Sequence, residues 1–152
     1  MVDRFRRFSF SLFEMTRCWH KLAAEEMGKY DLKGPYAMYL VVLLHKPEGL
    51  TAAQLCELCG RDKADVSRSL STMVEKGLVR RENGNTYRAK VTLTPLGDQA
   101  AKEVCQRVSL AVELAGKDIS DEERAVFYQA LTSITENLKL LSQQGLPDNP
   151  RE

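Results

Sequence analysis

Cys56-x-x-Cys59 is the spacing in this chain that most directly suggests chemistry. Two thiols three residues apart can cycle between dithiol and disulfide, or supply half of a tetrahedral zinc site. A structural zinc takes about four ligands, and no second cysteine pair or histidine pair lies nearby in sequence to complete the set. Cys18 and Cys105 each stand alone, too unevenly placed for the disulfide framework of a small secreted domain. No nucleophile, base and acid occur in a catalytic pattern, and the glycines fall at helix ends or in a turn rather than in a phosphate-cradling loop. The expectation is a protein that is not an enzyme and needs no metal or cofactor. A thiol-redox protein using Cys56 and Cys59 is the alternative from the enzyme class.

Cationic side chains offer a second chemistry, the binding of phosphate and of base edges. The 152 residues carry 22 Lys and Arg against 21 Asp and Glu, a net charge of +1 that by itself favours no partner. Their distribution is uneven: Thr51 to Pro95 holds eight basic and five acidic residues, whereas Leu96 to the end holds six and ten. The positive excess therefore falls in the middle of the chain. At 43% hydrophobic and 28% charged, the composition is that of a globular domain. The longest apolar run, Tyr36 to Leu44, has nine residues, well under the roughly 20 needed to span a bilayer. With no secretory signal pattern at the start, a cytoplasmic protein without membrane contact is expected.

The elements that must position these residues follow from periodicity and caps. Phe5, Phe8, Leu12, Met15, Trp19 and Leu22 alternate spacings of three and four, predicting a helix from about Arg4 to Met27 with a narrow apolar seam suited to a second chain. Tyr36 to Leu44 is apolar all round and reads as a buried central helix, stopped by Pro47 and Gly49, with His45 placed to cap its end. Thr51 with Gln54 forms a capping box for a helix running to Cys59 and closed by Gly60. Asp62 caps the next helix, which runs to about Gly77. From Leu78 the period becomes two, with Tyr87, Ala89, Val91 and Leu93 facing one way and Arg88, Lys90 and Thr92 the other. Asn83-Gly84 supplies a tight hairpin turn. Thr94-Pro95 starts a helix to about Ala115, and Ser120 with Glu123 caps a last one carrying Phe127, Leu131, Ile134, Leu138 and Leu141.

A short helix, a three-residue turn containing Gly60, a second helix and a hairpin make the order of a winged helix-turn-helix. Cys56, Gly60 and Val66 occupy the small, turn and branched apolar positions of that pattern, which makes both cysteines core-facing side chains. The fold class is mainly α with a small β-hairpin wing, flanked by N- and C-terminal dimerisation helices. The divisions are 1–30, 31–95 for the DNA-binding region, and 96–152.

Gly49-Leu-Thr-Ala-Ala-Gln-Leu-Cys56, Asp65-Val-Ser-Arg-Ser-Leu70, Glu75-Lys-Gly-Leu-Val-Arg-Arg81 and Val91-Thr-Leu-Thr-Pro-Leu-Gly97 together resemble the MarR family of bacterial transcription regulators, over most of the chain. The resemblance implies a homodimer that places one recognition helix per subunit in the major groove of an inverted-repeat double-stranded operator, most often as a repressor released by an effector. It puts Asp65, Ser67 and Arg68 near the start of the recognition helix, with Lys63, Ser69, Ser71 and Thr72 as phosphate-positioning candidates. The family's Asp-x-Arg wing motif is absent, its place holding Asn85-Thr86-Tyr87, so Arg88 and Lys90 become the basic residues of the wing. Arg80 and Arg81 read equally as phosphate contacts or as strand residues. Some relatives bind small aromatic or lipophilic molecules between the dimerisation helices and the winged helix, which singles out Trp19, His20, Tyr36 and Tyr39. Others sense oxidants through a cysteine in the first helix, here Cys18. A winged-helix protein-interaction module without DNA binding is the remaining alternative.

Overall fold

The computed structural model describes residues 2–82 and 89–146. The chain divides into two compact units, Met1–Leu110 and Ala111–Glu152.

The first unit opens with α1 (Val2–Gly28), a helix whose seam residues Phe5, Phe8, Leu12, Met15, Trp19 and Leu22 are all exposed in the single chain. Only its last turns enter the core, through Met27 and, in part, Ala23. α2 (Tyr36–Leu44) buries Ala37, Tyr39, Leu40 and Leu43 but leaves Met38 half exposed, so the run that is apolar all round has one wet side. His45 closes it: its Nδ1 donates to the Val41 carbonyl at 2.8 Å, satisfying a helix-end acceptor.

β1 (Leu50–Thr51) leads into α3 (Ala52–Cys59) and α4 (Lys63–Glu75), followed by β2 (Val79–Arg81) and β3 (Lys90–Leu93). The sheet is antiparallel with strand order β1-β3-β2; Leu50 pairs with Val91, and Val79 with Leu93. Two strands were expected and three are present among the described residues; β1 was missed because it is two residues long and shows no alternation. One face of the sheet joins α2, α3 and α4 around Leu55, Val66, Leu70, Met73 and Val91, which form one core. Thr92, expected on the outer face, is 8% exposed, since the Arg80 side chain lies across it with Nε donating to Thr92 Oγ1 at 3.1 Å.

α5 (Pro95–Ala115) is set against Gly77 and Leu78, just before β2, by a compact joint. Thr94 N–H donates to the Leu78 carbonyl at 3.0 Å, Thr94 Oγ1 donates to the Gly77 carbonyl at 2.6 Å, and Gly97 N–H donates to Thr94 Oγ1 at 3.0 Å. Gly97 is required there, since a Cβ would stand 1.8 Å from the Leu78 carbonyl oxygen. Ala100, Ala101 and Val104 follow it into the core.

In the second unit, α6 (Asp121–Gln144) begins at the expected capping box, with Ser120 Oγ accepting from Glu123 N–H and Glu123 Oε2 accepting from Ser120 N–H at 2.8 Å. Arg124 donates to the Gly116 carbonyl at 3.0 Å, tying the first turn of α6 to the loop before it. None of the residues of α6 is buried, and Phe127, Leu131, Ile134, Leu138 and Leu141 are all exposed. Among the described residues no helix is long and apolar enough to cross a membrane.

Candidate nucleic-acid interface

The α3–turn–α4 unit is built by local hydrogen bonds that its sequence specifies. Thr51 Oγ1 accepts from Gln54 N–H, and Gln54 Oε1 accepts from Thr51 N–H at 2.9 Å, completing the box that starts α3. Gly60 takes the left-handed conformation (φ 61°, ψ 36°) that side chains with a Cβ resist, which turns the chain within three residues. The Cys56 carbonyl accepts from both Gly60 and Arg61 N–H groups and so anchors the turn. Asp62 then caps α4, its Oδ1 accepting from Asp65 N–H at 2.8 Å. That backbone hydrogen bond holds the Asp62 carboxyl below its usual range, assisted by the charges of Arg68 and Arg61.

α4 separates its residues by face. Val66, Ser69, Leu70 and Met73 are buried, while Lys63, Ser67, Arg68 and Ser71 are exposed along the opposite side. Spacing of three to four places these exposed groups on one outward stripe beginning at the helix N-terminus, where the macrodipole favours anions. Asp65 is half-buried, 3.9 Å from Arg61. The Ser71 hydroxyl donates to the Ser67 carbonyl at 3.0 Å, and Thr72 Oγ1 donates to the Arg68 carbonyl at 3.2 Å. With their one proton committed to the backbone, both hydroxyls can accept but not donate outward. Ser69, offered by the sequence as a phosphate contact, is 5% exposed and is corrected to a core residue. Outward donors on α4 are therefore concentrated in Lys63, Ser67 and Arg68.

The wing residues are more tied down. Lys90 is exposed but its Nζ donates to the Glu48 carbonyl at 3.1 Å. Arg80 is engaged with Thr92. Arg88, the Asn83-Gly84 turn and the Asn85-Thr86-Tyr87 stretch lie outside the described residues.

Residues 30–88, spanning α2 to the wing, match the model of the MarR family. Over this stretch the chain is similar to the MarR family. Solved MarR-family proteins share the fold over nearly the whole chain. A MarR transcriptional regulator from Methanosarcina mazei Go1 is 20% identical with a TM-score of 0.78, over 89% of this chain and 99% of that one. A MarR-family regulator from Listeria monocytogenes, complexed with 26mer DNA, is 18% identical with a TM-score of 0.79, over 91% and 95%. The S. aureus MepR-DNA complex is 19% identical with a TM-score of 0.76, over 86% and 97%. No curated protein matches the chain.

The residues singled out for effector binding are dispersed. Trp19 and His20 are exposed on α1, Tyr36 is half-buried, and Tyr39 is 1% exposed within the core. The rings of Tyr36 and Tyr39 meet edge to face, 6.3 Å apart at 82°. A cavity of about 160 Å³ lies instead between the end of α1 and α5, lined by Glu26, Lys29, Tyr30, Glu103, Val104, Gln106 and Arg107. Its walls hold an ionic clamp that sequence reasoning missed. Glu26 accepts from Arg107 Nε at 3.0 Å and pairs with Lys29, and these two hydrogen bonds hold its carboxyl below the usual range. Burial and the hydrogen bond to Glu103 push the Tyr30 phenol up to about 12. Contacts between residues 81 apart leave no periodic trace in a sequence.

Cys18 is exposed on α1, near Glu14. Cys56 and Cys59 are half-buried against the core, as the winged-helix pattern requires, and burial pushes the Cys59 thiol up. No group of three or more His, Cys, Asp and Glu suited to a metal ion occurs among the described residues.

Proposed function

We propose that this chain is a homodimeric transcription regulator that binds an inverted-repeat operator, acts as a repressor, and is released by a small-molecule or oxidant effector. The carrying observation is the exposed stripe of α4. Lys63, Ser67 and Arg68 project from the start of a capped helix braced by α3, the arrangement needed to enter a major groove N-terminus first. Arg68 would read guanine or clamp a phosphate with its two-pronged guanidinium. Lys63, Asp65, Ser67 and Ser71 would position the helix, and Lys90 with Arg88 would approach the neighbouring backbone. The two DNA-bound relatives support this reading.

Support for the dimer comes from α1 and α6, whose apolar stripes are left wet in the single chain. Faces of that length normally find a partner helix. In this reading 1–30 and 96–152 supply dimer contacts, and 31–95 the DNA contacts. The protein acts where DNA is, in the cytoplasm, and has no catalytic step. Light scattering should give a mass of two chains, and footprinting on upstream DNA should give two protected half-sites about one helical turn, roughly 10 bp, apart or a multiple of it. A monomer, or protection without two-fold symmetry, would count against the proposal.

A further inference from the structure

We propose that Cys56 and Cys59 form a two-sulfur site for trivalent arsenic, and that filling it weakens DNA binding. Both thiols are free and half-buried at the end of α3, three residues apart, which places them side by side on one helix face. Cβ atoms at that spacing stand about 5–6 Å apart, wider than the roughly 3.5–4.5 Å of a disulfide. A direct S–S bond would therefore distort the last turn, whereas an atom bridging the sulfurs would not. A tetrahedral metal finds no further ligands among the described residues. Trivalent arsenic forms stable bonds to two thiols held side by side and bends between them, which suits neighbours on one helix.

A second observation marks the same place. The Tyr39 hydroxyl, on a residue 1% exposed, is buried with no hydrogen-bond partner. It lies within electrostatic reach of Cys59, Asp65 and Arg61 and close to the Ser69 side chain. A buried phenol with no hydrogen-bond partner, within electrostatic reach of Cys59, is a polar group that a polar ligand would satisfy. Arsenous acid brings one: As(OH)3 plus two thiols gives two As–S bonds, one retained As–OH and two waters. The two thiol protons leave in the water, and no electrons change hands. The retained hydroxyl is what Tyr39 would hold.

Coupling to DNA follows from the Cys56 carbonyl, which anchors Gly60 and Arg61 directly ahead of the Asp62 cap of α4. Fixing both sulfurs to one atom constrains that turn. This half of the proposal rests on the regulator reading above, whereas the binding half is read by mass alone.

Sodium arsenite and phenylarsine oxide should be added to the Cys18→Ser/Cys105→Ser protein and examined by native mass spectrometry. One adduct per chain with loss of two free thiols is expected, reversed by a dithiol but not by a monothiol. Cys56→Ala or Cys59→Ala should weaken the adduct by about a hundredfold or more, because the second bond is no longer intramolecular. Circular dichroism confirms that each variant is folded, and Tyr39→Phe should weaken arsenite more than phenylarsine oxide. Arsenite should lower operator affinity by about tenfold, within the usual range of site-to-site coupling. An adduct on a single sulfur, or one unchanged by Cys59→Ala, overturns the site. An adduct that leaves the affinity of a DNA-binding protein unchanged overturns the coupling, and disulfide formation without arsenic uptake assigns the pair to redox chemistry instead.

Discussion

Gly97→Ala tests the joint that fixes α5 against the winged helix. An added Cβ would stand 1.8 Å from the Leu78 carbonyl oxygen, so the start of α5 must retreat by about 1.2 Å to reach the 3.0 Å floor of real contacts. It cannot retreat alone, because Thr94 is bonded to Gly77 and Leu78 on one side and to Gly97 N–H on the other. Overpacking of this kind costs about 1–3 kcal/mol, and each strained hydrogen bond about 1 kcal/mol more. Alanine's better helix propensity returns about 1 kcal/mol. The net expectation is a loss of about 3 kcal/mol. With a urea slope of about 1–3 kcal/mol/M, the unfolding midpoint should fall by about 1–3 M at fixed protein concentration. Gly28→Ala is the control, since nothing lies within 4 Å of its Cβ; it should be neutral or stabilise the fold by up to about 1 kcal/mol. Gly97→Ala as stable as the parent, or more stable, would refute the close approach of α5 to the Leu78 carbonyl.

Thr51→Ala removes the side-chain half of the α3 capping box and should cost about 1 kcal/mol in the same urea assay, with Thr51→Ser nearly neutral. Tyr39→Phe deletes a buried hydroxyl without a hydrogen bond and should stabilise the fold by about 1 kcal/mol, whereas Tyr39→Ala should destabilise it by about 3–5 kcal/mol. Tyr30 has its phenol pushed up to about 12 from 10.0 by burial and by Glu103, so its contribution is complete below pH 10 and lost as pH rises towards 12. Urea midpoints at pH 9 and pH 11 should differ less in Tyr30→Phe than in the parent; equal pH dependence would count against the clamp.

Legibility in the sequence follows the range of each interaction. Thr51 with Gln54, Asp62, and Ser120 with Glu123 act within three residues of themselves, and all three caps are where spacing placed them. On α4 the family resemblance, rather than spacing, singled out Lys63, Ser67 and Arg68, and the structure leaves them opposite the buried Val66, Leu70 and Met73. Ser69 was misjudged because polarity outweighed its place between Val66 and Met73. β1 escaped notice because two residues carry no period, and its identity is conferred by pairing with β3, 40 residues away. Thr92 is covered by Arg80, and Lys90 is held by Glu48, contacts that cross strands and loops. Within Tyr36 to Leu44, uniform hydrophobicity hides which side faces in, so the burial of Tyr39 and the half-exposure of Met38 became visible only with the neighbours in place.

The central claim is that α4 enters DNA through Arg68. It is tested most directly by fluorescence anisotropy with DNA from the protein's own upstream region and a scrambled control, across salt concentrations. The account predicts tighter, salt-sensitive binding to the upstream DNA, with Arg68→Ala weakened by about 1–3 kcal/mol, roughly 5- to 150-fold. Equal weak binding to both DNAs, unchanged in Arg68→Ala, would contradict it.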